Sequence, residues 1–293
     1  MPDRRSFLSI AAFAVLCHCA QSGPLGEGTA DRTGKGRLTI KGSDTMVILG
    51  QRWAEAYAKA DPSAAVQVTG GGTGTGIAAL INGSTDICEA SRPMNEREKQ
   101  ELLTKRGTAA VETKVALDAL AVYVNAENPM DEISLDELAR IFVGELTNWK
   151  EFGAPAHNIV LYGRESNSGT YGYFKERVLQ GKDFAPSTQS LGGTAAVANA
   201  VKGDPFGIGY GGIAYLEGIK ALRIRKDGGS ASIAPSLATT QDGSYPMSRF
   251  LFLYTAGTAA GDSKKFIDWV LGPEGQKVIA EVGYYPLPKG PAL

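Results

Sequence analysis

A strand, a loop of glycine and hydroxyl residues, and a helix follow one another three times in this chain. That recurrence constrains it more than its composition does. Leu38-Thr39-Ile40 reads as a strand and Gly42-Ser43-Asp44-Thr45 as the loop after it. Met46, Leu49, Trp53, Tyr57 and Ala60 then mark the apolar face of a helix, which Asp61-Pro62 stops. Val66-Gln67-Val68 alternates like a second strand. Gly70-Gly71-Gly72-Thr73-Gly74-Thr75-Gly76 follows, and Ile77, Leu80 and Ile81 begin a short helix. Residues 158–162 read as a third strand and residues 163–170 as its loop, with Phe174, Val178 and Leu179 on the helix beyond.

The arrangement has a chemical meaning. The first turn of a helix leaves backbone N–H groups unpaired, and the helix dipole makes that end positive. Glycine lets the backbone approach a ligand closely, and serine and threonine add short hydroxyl donors. A strand that ends in such a loop is a natural anion site. Any one of these loops taken alone is better explained as a plain helix cap. Three of matching composition can wrap one small tetrahedral oxyanion, with Arg164 in the third loop supplying charge and a planar donor fork. The second loop also resembles the phosphate loop of the tubulin-like GTPases. No further nucleotide-contacting loops follow it, and the N-terminus directs the chain where nucleotides are scarce.

Composition narrows the chemistry further. The 293 residues carry a formal net charge of −1, so no bulk positive field is available for nucleic acid. The histidines are His18 and His157. The first is expected to leave with an export signal, and the second sits in the proline-containing loop Ala154-Pro155-Ala156-His157-Asn158. A serine–histidine hydrolase or a histidine-based zinc site is poorly supplied. No Asp/Glu cluster has metal-ligand spacing, and no cofactor is expected. Arg4-Arg5 before the apolar run 7–16 has the layout of a signal peptide over residues 1–20, of the ordinary secretory or the twin-arginine kind. Cys17 and Cys19 close that run as candidate lipid-attachment sites, although Leu16 and His18 before them are larger than such signals prefer. Residues 21–37, rich in small and hydroxyl side chains, read as a tether. The expected location is periplasmic or at the cell surface. Cys88 reads as a small buried hydrophobe rather than half of a disulfide.

The chain resembles the substrate-binding proteins of phosphate ABC transporters, in their shorter bacterial form. The resemblance runs over residues 38–287. It is carried by Lys41-Gly42-Ser43-Asp44-Thr45-Met46, residues 69–77, Ala90-Ser91-Arg92-Pro93-Met94, Ile141-Phe142 with Thr147-Asn148-Trp149, and residues 164–170. Later stretches are Gly207-Ile208-Gly209-Tyr210, Tyr245-Pro246-Met247-Ser248-Arg249, Gly275-Gln276-Lys277 and Gly283-Tyr284. The resemblance implies an α/β, two-lobed type II periplasmic-binding-protein fold with the ligand cleft between the lobes. One lobe would hold residues 38–117 plus 249–293 and the other residues 118–248, with hinge crossings in the extended runs 115–125 and 249–254.

It also implies a monomer without enzymatic activity that binds inorganic phosphate and serves a membrane ABC permease. Asp44, Thr45, Thr73, Arg164, Ser168, Gly169 and Thr170 would be the phosphate contacts, with Ser43, Thr75, Ser91 and Arg92 as second-rank candidates. The longer form of the family has a carboxylate directly after the serine matching Ser91, where this chain has Arg92. Asp44 is the candidate to fill that role, Glu165 its rival, and a plain helix cap the alternative reading of Asp44. Another oxyanion such as sulfate or molybdate, a secreted enzyme acting on phosphate esters, and a surface sensor or adhesin are the competing functions. Trp149 and Phe142 are expected to pack a helix on the sheet, residues 97–99 to form a solvated helix face, and Gly207, Gly209, Gly211 and Gly212 to permit tight strand packing.

Overall fold

The structure, a computed structural model, describes residues 37–288. The expected export signal, Cys17, Cys19 and the tether up to residue 36 lie outside the described residues. The strands are Leu38–Gly42 (β1), Val66–Thr69 (β2), Ile87–Ala90 (β3), Ala110–Asn125 (β4), Glu132–Ser134 (β5), Val160–Arg164 (β6), Gln189–Leu191 (β7), Gly207–Gly212 (β8), Ile219–Ala221 (β9), Arg223–Arg225 (β10) and Ser248–Ala256 (β11). The helices are Val47–Ala60 (α1), Thr73–Asn82 (α2), Glu96–Arg106 (α3), Leu135–Phe142 (α4), Gly169–Arg177 (α5), Thr194–Gly203 (α6), Leu237–Gln241 (α7), Gly261–Leu271 (α8) and Pro273–Val282 (α9).

The principal sheet runs β2-β1-β3-β11-β4-β8-β6-β7, with β9 also paired to β4. Its two ends are parallel: β1 lies parallel to β2 and β3, and β6 parallel to β7 and β8. Parallel neighbours need crossover connections, and helices supply them on both ends. The middle is antiparallel. The first part of β4 pairs with β11, and its last part, from Leu120 to Val124, pairs with β8. This is the two-lobed periplasmic-binding-protein fold, with β4 and β11 at the middle of the sheet. Residues 115–125 of β4 are buried without a break, as a strand covered on both faces must be.

Side chains chosen from the sequence pattern pack much as expected. Met46, Leu49, Trp53 and Tyr57 are buried, and Trp53 Nε1 donates to Gly275 O of α9 at 2.9 Å. Ala60 is exposed instead, because α1 ends there and Asp61 caps it. Phe174 stacks on Tyr210 with ring centroids 3.9 Å apart, and Phe142 meets both edge-on. Trp149 is buried, with its ring nitrogen on Phe206 O. A Cβ at Gly209 would sit 2.7 Å from Val197, and one at Gly211 would sit 2.7 Å from Thr194, so α6 lies directly on β8 because β8 has no side chains there.

Two boundaries move. The third strand is Val160–Arg164, two residues later than its pattern suggests, because Gly163 and Arg164 find partners in Ser190 and Leu191 of β7. The second helix starts at Thr73, inside the glycine run. Only Gly71 and Gly72 need positive φ, at 111° and 90°. Gly76 is helical and is needed for contact, since a Cβ on it would lie 2.5 Å from Gly42 Cα. The expected solvated face at 97–99 holds for Arg97. Glu98 is half-buried, because it closes a capping box with Asn95 and takes Arg92 as an ion-pair partner.

Candidate anion-binding site

Four strands, β1, β2, β6 and β7, run into loops that open a helix, and their ends meet. Thr73 and Thr194 are the first residues of α2 and α6, and each follows a glycine at φ 90°. Gly169 is the first residue of α5, with Ser168 as its N-cap accepting from Tyr171 N. The N-termini of α2, α5 and α6 therefore lie together, where first-turn N–H groups can meet an anion.

Hydroxyls fill the space between them. Thr45 Oγ1 lies 2.7 Å from Thr170 Oγ1 across the cleft and 3.4 Å from Thr194 Oγ1. Ser43 Oγ donates to Ser91 Oγ at 2.9 Å, and Ser91 N donates to Thr73 Oγ1 at 3.1 Å. Ser43, Thr45, Thr73, Ser91, Ser168, Thr170 and Thr194 are all buried. Gly169 closes the group: a Cβ there would stand 2.4 Å from Thr73 Oγ1 and 2.7 Å from Ser91 Oγ, so only glycine lets the start of α5 come this near to them.

Arg164, at the last position of β6, reaches into this group. Its Nη2 donates to Asp44 Oδ2 at 2.7 Å and its Nη1 to Thr194 Oγ1 at 2.8 Å. Its Nε is buried and has no hydrogen-bond partner. Burial pushes the guanidinium below its usual value while Asp44 beside it acts the other way, and a guanidinium so paired stays charged. Asp44 Oδ1 accepts from Gly71 N at 2.7 Å. Asp44 thus ties the first loop to the second and to Arg164 at the end of β6, and does not cap α1, whose N-cap Met46 makes no side-chain bond. The phenols of Tyr215 and Tyr284 hold this loop from behind by donating to Asp44 O and Thr45 O. Glu165, the rival carboxylate, is exposed. A buried cluster of hydroxyls and helix ends, with a cation that retains an unused donor, can desolvate and hold a small anion.

Residues 27–274 match the PBP superfamily domain. The chain is 34% identical over 270 residues to the phosphate-binding protein PstS of Pseudomonas aeruginosa, which covers 86% of this chain and 84% of that protein. The chain belongs to the PstS-type substrate-binding proteins. It is likewise 31% identical over 288 residues to the phosphate-binding protein PstS of Bacillus subtilis, covering 96% of this chain and 92% of that one. Among solved structures, a Clostridium perfringens protein assigned to phosphate ABC transport and solved with bound phosphate superposes with TM-score 0.78 at 26% identity, over 86% of this chain and 100% of that one. An ABC-type phosphate transport receptor from Vibrio cholerae gives TM-score 0.68 at 27% identity, over 85% and 99%.

In this PstS-type chain, Asp44, Thr45, Thr73, Arg164, Ser168, Gly169 and Thr170 come together, and so do Ser43 and Ser91. Arg92 does not. Its guanidinium makes a bidentate pair with Glu98, at 2.8 and 2.7 Å, and donates to Pro93 O. The half-buried Glu98 carboxylate, placed by its own helix cap, captures it. Thr75 Oγ1 accepts from Asn167 Nδ2 at 3.2 Å. Asn167 also donates to Gly71 O and accepts from Gly74 N. Thr75 and Asn167 therefore latch the second loop to the third. Sequence reasoning passed over Thr194 and Asn167. The signal for Thr194 was Gly192-Gly193-Thr194, a copy of Gly71-Gly72-Thr73. The strand before it is short and polar, so no periodicity drew attention to it. Cys88 is buried and free, and burial pushes its thiol up out of reactive range. Among the described residues no cluster of His, Cys, Asp and Glu could hold a metal ion.

Proposed function

We propose that this chain captures inorganic phosphate in the cleft between its lobes and delivers it to a membrane ABC importer, acting as an exported monomeric receptor without enzymatic activity, in the periplasm or at the cell surface. The observation that carries this reading is the buried, unpartnered Arg164 Nε among hydroxyls and helix N-termini contributed by both lobes. Asp44, Thr45, Thr73, Arg164, Ser168, Gly169 and Thr170 are the proposed contacts, with Ser43, Ser91 and Thr194 joining them. The lobes divide at 117/118 in β4 and at 248/249 in β11. Donors from both sides must meet on one ion before it is satisfied away from water, so phosphate draws the lobes together by hinge closure.

Phosphate and sulfate share shape and size, so the distinction rests on the proton that phosphate keeps near neutral pH. A carboxylate can accept that proton in a hydrogen bond but meets only lone pairs and like charge on sulfate. Asp44 is the carboxylate placed to do this. A pocket closed on one tetrahedral ion would leave no room for the alcohol portion of an ester, which separates this reading from a phosphate-ester hydrolase. Among the described residues no helix is long and apolar enough to cross a membrane, so membrane attachment would depend on residues outside them or on the permease.

Isothermal titration with phosphate, sulfate and a phosphate monoester tests the reading. Tight binding of phosphate alone is expected. Preference for sulfate or for the ester would overturn it.

A further inference from the structure

Arg249 and Asp118 belong to no anion loop, yet they lie behind the cluster. They are direct cross-strand partners in the register of β11 and β4, the strands that run between the lobes. Both are buried, with Asp118 fully enclosed and the Arg249 side chain 3% exposed. Arg249 Nε donates to Asp118 Oδ2 at 2.9 Å, and Nη2 lies 2.8 Å from the same oxygen. Asp118 Oδ1 accepts from Ile213 N at 3.0 Å, which ties the pair to the end of β8.

The other bonds of this guanidinium run to opposite sides of the cleft. Nη1 donates to Ser91 O, just beyond β3, at 3.1 Å. Nη2 donates to Thr170 Oγ1, in the first turn of α5, at 3.1 Å. Tyr173, one turn further along α5, places its ring 5.4 Å from the guanidinium carbon and donates its phenol to Ser248 O. Thr170 Oγ1 is also the atom that meets Thr45 Oγ1 across the cleft.

We propose that Arg249, oriented by Asp118, is a positioning residue that couples bending of the β4–β11 hinge to assembly of the phosphate site. It reads closure because its fork can span Ser91 O and Thr170 Oγ1 only when the strand ends of both lobes stand in register over the hinge. Opening separates those acceptors. A planar guanidinium held on a rigid cross-strand carboxylate cannot follow both, and the bond given up leaves a buried donor unpaired. The closed form gains a contact that the ligand does not itself make, so a loaded site stays closed longer. This rests on the phosphate-capture reading above and adds to it a residue that the anion need not touch.

The test compares wild type, Arg249→Lys, Arg249→Met and Asp118→Asn by phosphate titration, stopped-flow phosphate dissociation and melting without ligand. Positioning predicts that Arg249→Met and Asp118→Asn raise Kd by about tenfold or more, chiefly through faster dissociation, with Arg249→Lys recovering part of the loss. A purely structural pair would lower the melting temperature and leave the dissociation rate alone. A pair acting through charge would make Asp118→Asn bind phosphate more tightly, since the arginine would lose its counterion. Either of those outcomes overturns the proposal, and so does loss of fold in Arg249→Lys, which keeps charge and stem. Failure of the wild type to bind phosphate would instead sink the capture reading.

Discussion

Two arginine–aspartate pairs, Arg164–Asp44 and Arg249–Asp118, are nearly equal in length, at 2.7 and 2.8 Å, and differ in the burial of the acid and in how the arginine's donors are used. Arg249 and Asp118 face each other on adjacent strands, and each guanidinium nitrogen has an acceptor. Arg164 ends β6 and Asp44 lies in the loop after β1, Asp44 keeps 18% of its side chain exposed, and Arg164 Nε has no partner. The length of an ion pair therefore says little about its purpose. A pair whose donors are all committed holds the frame, and a pair with a donor to spare is available to a ligand. Buried pairs are poor evidence of stability by themselves, and the count of unused donors is the better guide.

The largest expected effect breaks the ligand pair. Arg164→Ala should raise the phosphate Kd by about a thousandfold, some 4 kcal/mol, because it removes the buried cation and its charge-assisted donors from the anion. Arg164→Lys should fall between, since it keeps charge without the fork. Titration reads both, and an unchanged Kd in the alanine variant would erase the distinction between the two arginines.

Breaking the hinge pair should cost stability in the empty protein as well as speed phosphate release. Asp118→Asn leaves a buried guanidinium without its counterion and should cost about 3 kcal/mol of ligand-free stability. Asp44→Asn, at a partly exposed site, should cost about 1 kcal/mol or less. Denaturant unfolding without phosphate ranks them, and the reverse order would mean that Asp44 is the structural member. Asp44→Asn should instead lower the preference for phosphate over sulfate, by about tenfold or 1.4 kcal/mol. Competition between labelled phosphate and sulfate measures that ratio, and a preserved preference would free Asp44 from the selective role.

Glu89 sharpens the comparison as an acid with no arginine at all. It lies on β3, its carboxylate oxygens have no partner, and a Cβ on Gly50 of α1 would stand 2.2 Å from one of them. Burial pushes its carboxyl well above the usual 4.5. The native state then holds a proton that the unfolded chain releases, so this group's contribution to stability is full below about 4.5 and is lost as pH rises toward the folded value. Glu89→Gln should remove that decline and be nearly neutral at acidic pH. Melting temperature against pH, for wild type and variant, checks it; parallel curves would show that Glu89 does not titrate alone.

The glycine and hydroxyl loops were legible because their chemistry is local. Ser43, Asp44 and Thr45 follow a readable strand, and glycine runs announce a close backbone approach whatever surrounds them. The pairing of Arg92 with Glu98 was not legible, because Glu98 is fixed by a helix cap whose reach a linear motif does not reveal. Thr194 was missed because a three-residue polar strand, Gln189–Leu191, carries no hydrophobic period.

The sequence by itself determined the loops, the arginine at the end of the third strand and, through the order of its motifs, the family. It also held a clue that went unused: Asp118 is a single charge inside a long apolar run, and a charge so placed needs a buried partner. Only the tertiary structure decided that this partner is Arg249, 131 positions away. It alone set Thr45 against Thr170 and spent Thr75 on Asn167. Composition and spacing specify which donors a chain owns. Which of them remain uncommitted depends on contacts between segments far apart in sequence, and those exist only once the lobes have packed.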